Sequence, residues 1–297
     1  MVNLSFDTFV SSHKELVETE LEARVESLAC PEILKEAMVY SLKAGGKRIR
    51  PLLVFAVLDA FGKETKTGLE AACAIEMIHT YSLIHDDLPS MDDDDLRRGK
   101  PTNHIVFGEA NAILAGDALL TLSFDILAGM NHPGVSPGQQ LELIRKISTS
   151  AGPEGMVGGQ VADMEAEGTE ITIDGLEYIH VHKTGKLLAA SVLAGAILAN
   201  ATEKQKQLLE MFSRHLGLAF QIRDDILDIE GDQETIGKPV GSDEGNDKNT
   251  YPALLTLQGA KGKLEQEITE AETILEQLGW KGSLLSEITQ MIAKRIN

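Results

Sequence analysis

The sequence predicts an all-α protein, and three observations carry that prediction. Prolines number only nine, at positions 31, 51, 89, 101, 133, 137, 153, 239 and 252. The stretches between them are rich in Ala, Leu, Ile, Glu and Lys, which favour helix. Val, Ile and Thr form no sustained period-2 runs, and regularly spaced turn signals are absent, which argues against sheet.

In chain order, helices are expected at 5–28, 31–44, 51–61, 67–87, 110–129, 138–150, 175–200, 203–230, 252–258, 263–278 and 283–296. The first lies in MVNLSFDTFVSSHKELVETELEARV, which has neither a basic n-region nor an uninterrupted apolar stretch and so does not read as a signal peptide. The second and third begin at Pro31 and Pro51. Within the fourth, 70–84 (EAACAIEMIHTYSLI) is apolar on nearly every face, as are 187–200 and 208–222. Helices of that kind are normally buried, so these three should form the inner layer of a bundle, and their small residues allow close approach or leave room for a ligand in a central apolar cavity. Pro89 biases Leu88 away from helical dihedrals and should end the fourth helix near Asp87. Segment 110–129 has more apolar surface than an outer helix of a monomer should carry. No repeat and no low-complexity linker divides the chain, so 1–297 reads as one large helical domain.

Composition excludes several functions. The chain is 43% hydrophobic and 25% charged, which sets aside disordered and fibrous classes. A net charge of −19 argues against a nucleic-acid partner, whose binding rests on clustered positive charge. Cys30 and Cys73 cannot form a disulfide framework, and reduced thiols fit a cytoplasmic location. No run reaches about 18 apolar residues without charge, so no stable membrane insertion is expected.

Against that background the acids are misplaced. The fourth helix runs into His85-Asp86-Asp87-Leu88-Pro89-Ser90-Met91-Asp92-Asp93-Asp94-Asp95, so carboxylates crowd a helix end that is already partially negative. At an effective dielectric of about 20, each like-charge pair at ~4 Å costs about 4 kcal/mol. Taken alone, Asp92–Asp95 in an acidic protein reads equally as a solvated loop. The pattern is repeated, however, at Gln221-Ile222-Arg223-Asp224-Asp225-Ile226-Leu227-Asp228, where Asp224 and Asp228 share one helix face. All-oxygen clusters without Cys or paired His suit Mg²⁺, which binds through carboxylates, waters and substrate phosphates. Neither cluster has the calcium-loop spacing.

Scarce positive charge is concentrated too. Gly45-Gly46-Lys47-Arg48-Ile49-Arg50 places three cations after a glycine pair, Arg97-Arg98-Gly99-Lys100 follows the first acidic loop, Lys183-Thr184-Gly185-Lys186 opens a buried helix, and Lys238 follows Asp228. Arginine forks suit phosphate, and Mg²⁺ between carboxylate and phosphate reconciles the two signs of charge. No nucleotide-binding glycine motif is present. The combination points to a diphosphate.

These segments, together with His79-Thr80-Tyr81-Ser82-Leu83-Ile84-His85-Asp86-Asp87 and Phe220–Asp228, resemble the short-chain trans-isoprenyl diphosphate synthases over nearly the whole chain. The Asp-Asp-x4-Asp form at 86–92 is similar to that of the bacterial farnesyl and the bacterial and plant geranylgeranyl branches. The resemblance implies an isoprenoid synthase bundle, a homodimer, isoprenoid diphosphate substrates and three Mg²⁺ per active site. It implies that Asp86 and Asp92 hold two metals with Asp87 nearby, and that Asp224 holds a third, supported by Asp225 and Asp228. By the same resemblance Arg97, Lys183 and Lys238 bind the allylic diphosphate. Gly46, Lys47, Arg50, His79 and Arg98 bind isopentenyl diphosphate, while Thr184 and Gln221 line the reacting carbons. Gly159-Gln160-Val161-Ala162-Asp163 looks like a polar supporting element. Tyr178, His180 and His182 read as structural, and Cys73 as core. A lone histidine in an apolar helix is more often a core residue, but His79 lies seven residues before Asp86 on the same side of the helix.

The implied reaction is ionisation of an allylic diphosphate, attack by the isopentenyl double bond and loss of a proton. A class I terpene cyclase is the nearest different class, but the second motif here is Asp-Asp-Ile-Leu-Asp and the cations at 45–50 are present. A long-chain synthase usually has the shorter first motif, and a non-catalytic binding protein would be expected to lose acids or arginines. Product length has a physical handle. At ~1.5 Å per residue, Tyr81 lies about 7.5 Å along the helix from Asp86, deeper in the cavity. Tyr81 is therefore the expected floor of the chain pocket, with Ser82 in line with Asp86 but too small to block it. In the family such an aromatic goes with a C15 product, so farnesyl length is expected, with geranyl and geranylgeranyl as alternatives.

Overall fold

The structure, a computed structural model, describes residues 5–230 and 249–295. Its helices are α1 (Phe6–Glu26), α2 (Glu32–Leu42), α3 (Ile49–Ala60), α4 (Leu69–Asp86), α5 (Asn103–Phe107), α6 (Glu109–Ala128), α7 (Pro137–Ala151), α8 (Met156–Ala166), α9 (Ile173–Ile179), α10 (Lys186–Leu198), α11 (Glu203–Glu230), α12 (Tyr251–Gln277) and α13 (Leu284–Ala293). A π turn, His180–Gly185, joins α9 to α10. Among the described residues the strands are two-residue pieces, β1 (Leu96–Arg97) and β2 (Lys100–Pro101), paired antiparallel with Leu96 opposite Pro101.

The all-α expectation holds, and the first eight expected helices lie within two residues of observed ends. Three differences stand against it. The stretch 175–200 is interrupted by the π turn at His180–Gly185. The two helices expected at 252–258 and 263–278 form one helix, α12, kinked at Thr256 (φ 67°). Gly259 and Gly262 weaken helix locally, but Ala260 and Leu264 are buried in a core cluster, and packing overrides propensity. Helices α5 and α8 were not expected, and α8 contains Gly158 and Gly159, two of the weakest helix formers.

The chain divides into two compact units, and the division falls inside α3 and α7. The first comprises residues up to Phe55 with Glu64–Ile144. Its inner element is α4, whose residues Ala71–Ile78 are all buried and which packs most extensively on α6. Ile75, Met77 and Ile78 are fully enclosed, each contributing about 1.5–3 kcal/mol of apolar burial. Gly116 lets α6 come this close, because a side chain there would occupy the His85 ring.

The second unit comprises Ala56–Lys63 with the chain from Arg145 onward. Helix α10 is buried on every face apart from Ala189 and its first residue, Lys186. Helix α11 is one-sided at its start, with Glu210, Met211 and Arg214 exposed, and is buried all round only over Leu216–Ala219. Leu218, Ala219, Ile222 and Ile226 of α11 pack with Leu176, Tyr251, Ala260 and Leu264.

By length and mean hydropathy, α6 and the run Ile173–Leu198 would be long enough to cross a membrane. In the second, 67% of the most apolar window is already buried inside the protein, as in an ordinary core helix. Helix α6 instead leaves Ile113 and Leu114 exposed, beside Ile105 and Val106 of α5.

Candidate active site

The first acidic cluster is built on the end of α4. Helical bonding stops as Pro89 requires, with Asp87 N–H donating to Leu83 O at 3.1 Å. The chain then folds back: Asp93 takes a left-handed conformation (φ 52°), and Asp92 N–H donates to Asp86 O at 2.8 Å. That bond closes the Asp86–Asp92 loop, with the Asp86 and Asp87 side chains buried and Asp92 exposed. Arg97, delivered by β1, answers the buried charge, its Nε donating to Oδ1 and Oδ2 of Asp87 at 2.7 and 2.9 Å. Asp94 lies 3.7 Å from Arg97 Nη2.

The Gly45–Arg50 segment meets the other end of the same hairpin. Gly46 has φ 130°, and a Cβ there would lie 2.7 Å from Arg98 Nη1, so only glycine leaves the guanidinium its place. Arg98 Nη1 donates to Gly45 O. Arg48 behaves unlike its neighbours in sequence. Its side chain is buried, donating to Glu76 Oε1 at 2.7 Å, Glu18 Oε1 at 3.1 Å and Leu42 O at 2.5 Å. A cleft lined by His79, Arg97, Arg98, Glu76 and Asp87 opens beside it. Burial, followed by the fields of Arg50, Arg98, Arg48 and Arg97, holds the His79 imidazole well below its ordinary pKa. His79 is therefore neutral, with one N–H to donate and one nitrogen to accept.

Two residues nearer the acidic end, Tyr81 is buried and sets its ring edge-on to His85, centroids 5.7 Å apart. Burial, then the Asp86 carboxylate, pushes its phenol up to about 12. Ser82 turns its hydroxyl back to His79 O at 2.9 Å.

In the second unit the π turn presents Lys183 and Thr184. Lys183 Nζ pairs with Asp163 Oδ2 of α8 at 2.6 Å, which gives the Gly-Gln-x-x-Asp segment its place. Gly159 of the same segment rests on the Lys183 backbone, where a Cβ would have no room. Gly217 of α11 does the same on the other side, its hypothetical Cβ 3.1 Å from Gly185 Cα. Beyond it α11 carries Gln221 and then the second acidic cluster. Asp224 pairs with Arg295 at 2.5 Å, and Arg295 also lies over the Phe220 ring, 4.9 Å from its centroid. Buried Asp225 accepts from Tyr251 N–H at 2.9 Å, adding to the Thr250 cap at the start of α12, while Asp228 stays half-buried one turn past Asp224. His182 stacks on Tyr178, centroids 3.9 Å apart, and His180 packs against Tyr251. Lys238 lies outside the described residues.

The expected site residues thus gather into two groups. Gly46, Lys47, Arg50, His79, Tyr81, Ser82, Asp86, Asp87, Asp92, Arg97 and Arg98 belong to the first unit. Lys183, Thr184, Gln221, Asp224, Asp225 and Asp228 belong to the second. Sequence reasoning missed Glu76, Glu18 and Arg295. Glu76 had a signal, an acid inside an otherwise apolar helix.

Helices that end in aspartates, with arginine and lysine held beside them, on an all-helical scaffold, define the isoprenoid synthase class. A family model described as polyprenyl synthetase matches residues 31–279, and the chain belongs to that family. It is 57% identical over 295 residues to the farnesyl diphosphate synthase of Geobacillus stearothermophilus, covering 99% of both chains. It is 56% identical over 288 residues to that of Bacillus subtilis (strain 168), covering 97% of both. Among solved structures, the geranyltransferase from Legionella pneumophila aligns with a TM-score of 0.86 at 32% identity, over 98% of this chain and 97% of that one.

Proposed function

We propose that this chain makes (2E,6E)-farnesyl diphosphate, joining isopentenyl diphosphate to dimethylallyl and then geranyl diphosphate. The full-length likeness to farnesyl diphosphate synthases carries the reading. Tyr81, buried five residues before Asp86, supports the C15 length. In each condensation the allylic C–O bond breaks, the isopentenyl double bond attacks the carbocation, and the departing diphosphate takes the proton.

Arg97 and Lys183, each already oriented by a carboxylate, hold the allylic diphosphate together with Lys238. Lys47, Arg50, Arg98 and neutral His79, with the Gly46 backbone, hold the diphosphate of isopentenyl diphosphate. Thr184 and Gln221 line the reacting carbons. Asp86 and Asp92 hold two Mg²⁺ with Asp87 beside them, and Asp224 holds a third with Asp225 and Asp228 in support. The donors fit Mg²⁺: they are all oxygen, and Arg97 and Arg295 already place positive charge against Asp87 and Asp224. Among the described residues no three acids, histidines or cysteines converge as a closed cage, and Mg²⁺ completes its shell with water and phosphate oxygens. When bound, the metal neutralises charge gathering on the leaving diphosphate, an electrostatic contribution that usually dominates.

The protein works as a cytoplasmic homodimer without membrane insertion. The exposed Ile105, Val106, Ile113 and Leu114 of α5 and α6 supply the apolar face that a second copy would cover. Incubating the pure protein with dimethylallyl diphosphate, isopentenyl diphosphate and Mg²⁺ and sizing the products tests the reading. C15 is expected, and a C20 or cyclic product overturns it.

A further inference from the structure

Of the three cations at Lys47, Arg48 and Arg50, Arg48 has its side chain turned into the protein, only 2% exposed. It is the N-terminal boundary of α3, with Leu52 N–H donating to its carbonyl at 3.0 Å. Its φ is 52°, a left-handed conformation that a non-glycine residue keeps only where its surroundings hold it there. Three groups do so, from three different helical elements: Glu18 of α1, Leu42 O at the end of α2 and Glu76 of α4. Glu76 lies one helical turn before His79 and is itself buried. The guanidinium fork is what lets one side chain satisfy three acceptors at once.

We propose that Arg48 is a positioning residue for isopentenyl diphosphate: its bond to Glu76 locks the Gly45–Arg50 segment in register with His79. This rests on the reading that Lys47, Arg50, His79 and Arg98 bind that substrate. Each of the three guanidinium nitrogens of Arg48 already donates inside the protein, so its fork is engaged there and not on a phosphate. What remains is placement. The buried fork fixes where the backbone turns, and with it the origin of the Lys47 and Arg50 side chains. The same turn places Gly45 O and the bare face of Gly46 that seat Arg98.

The test is Arg48→Lys, which keeps the charge and loses the fork. The KM for isopentenyl diphosphate should rise about tenfold while that for geranyl diphosphate stays within about twofold. A purely structural role would lower the melting temperature and the active fraction and leave both KM values unchanged, which overturns the proposal. The double variant Arg48→Met/Glu76→Met removes both buried charges together, a change folds tolerate better than loss of one. It should retain the isopentenyl defect, and a return to the wild-type KM also overturns the proposal. If Arg48→Lys does not fold, Glu18→Gln, at the partly exposed end of the network, should still raise the isopentenyl KM selectively, and no change there counts against it. Wild-type protein unable to use isopentenyl diphosphate would instead sink the functional reading. Titration calorimetry with inorganic diphosphate would then still compare the wild type with Arg48→Lys, where weaker binding is expected and equal binding is contrary.

Discussion

Arg97 and Asp87 form a forked ion pair in which one guanidinium nitrogen, Nε, reaches both carboxylate oxygens, at 2.7 and 2.9 Å. The pair spans the acidic loop, from the end of α4 to the start of the hairpin. It makes Arg97 answerable to two tasks, since the residue proposed to hold the allylic diphosphate also neutralises a buried acid.

Arg97→Ala should therefore lose stability as well as substrate. Removing one member of a buried pair costs about 3–5 kcal/mol, and the partial exposure of Arg97 places this case at the low end. Urea unfolding without metal or substrate checks it. Asp87→Asn in the Arg97→Ala background should recover part of the loss, and no recovery would mean the pair is not the source.

The acidic clusters predict a ligand-dependent fold. Mg²⁺ with inorganic diphosphate should stabilise the protein by about 2.7 kcal/mol at 100 times the Kd. Asp86→Ala or Asp224→Ala should abolish most of that gain and most activity while the unliganded fold persists. A melting temperature indifferent to Mg²⁺ and diphosphate would remove the metal site.

His180 gives a pH dependence with a defined sign. Burial lowers its imidazole to about 4, so the folded protein keeps it neutral where the unfolded chain, near 6.5, takes a proton. Stability from this group is complete above pH 6.5 and is lost as pH falls towards 4. At about 1.4 kcal/mol per unit the loss is of order 3 kcal/mol. His79, also held low, works in the same direction. Unfolding free energies of wild type and His180→Asn at pH 7.5 and 5 should differ in slope, the variant being flatter. Parallel slopes would contradict the assignment.

Product length should follow Tyr81. Tyr81→Ala removes a large buried ring and should lengthen products towards C20 with Mg²⁺ dependence unchanged. The cavity costs about 3–5 kcal/mol in a site that does not collapse, so the assay belongs at low temperature. An unchanged C15 distribution would relieve Tyr81 of the role.

Light scattering should give a mass near twice 32.1 kDa. Replacing Ile113 and Leu114 with charged residues should halve it, since their apolar area would no longer repay burial. A monomeric wild type at assay concentration would set the dimer aside.

Much of the fold and of the site is legible in the sequence. Asp86 and Asp224 announce themselves because each interrupts a helix otherwise apolar all round, a conflict within a short window of sequence. Arg48 could not be separated from Lys47 and Arg50 in that way. Its partner Glu76 is 28 residues distant, and only packing decides which of the three neighbouring cations is paired with it inside the protein. The same holds for Arg295, which meets Asp224 and Phe220 from the far end of the chain. Asp225 looks like its neighbour Asp224 in sequence, yet it accepts from Tyr251 N–H at the start of α12 while Asp224 pairs with Arg295. Helix α8 escaped notice because what defines it is contact, not propensity.

Gly159 illustrates what that implies for assembly. With Gly158 beside it, α8 has little tendency to hold a helix when free, and its closest support is the backbone of the turn bearing Lys183. The two segments complete each other, so neither should order without the other. Amide exchange should then protect α8 and the His180–Gly185 turn as one cooperative block, opening and closing at a shared rate. A methyl group at residue 159 would uncouple them and shift the Lys183 ammonium while leaving every charged residue of the protein in the sequence.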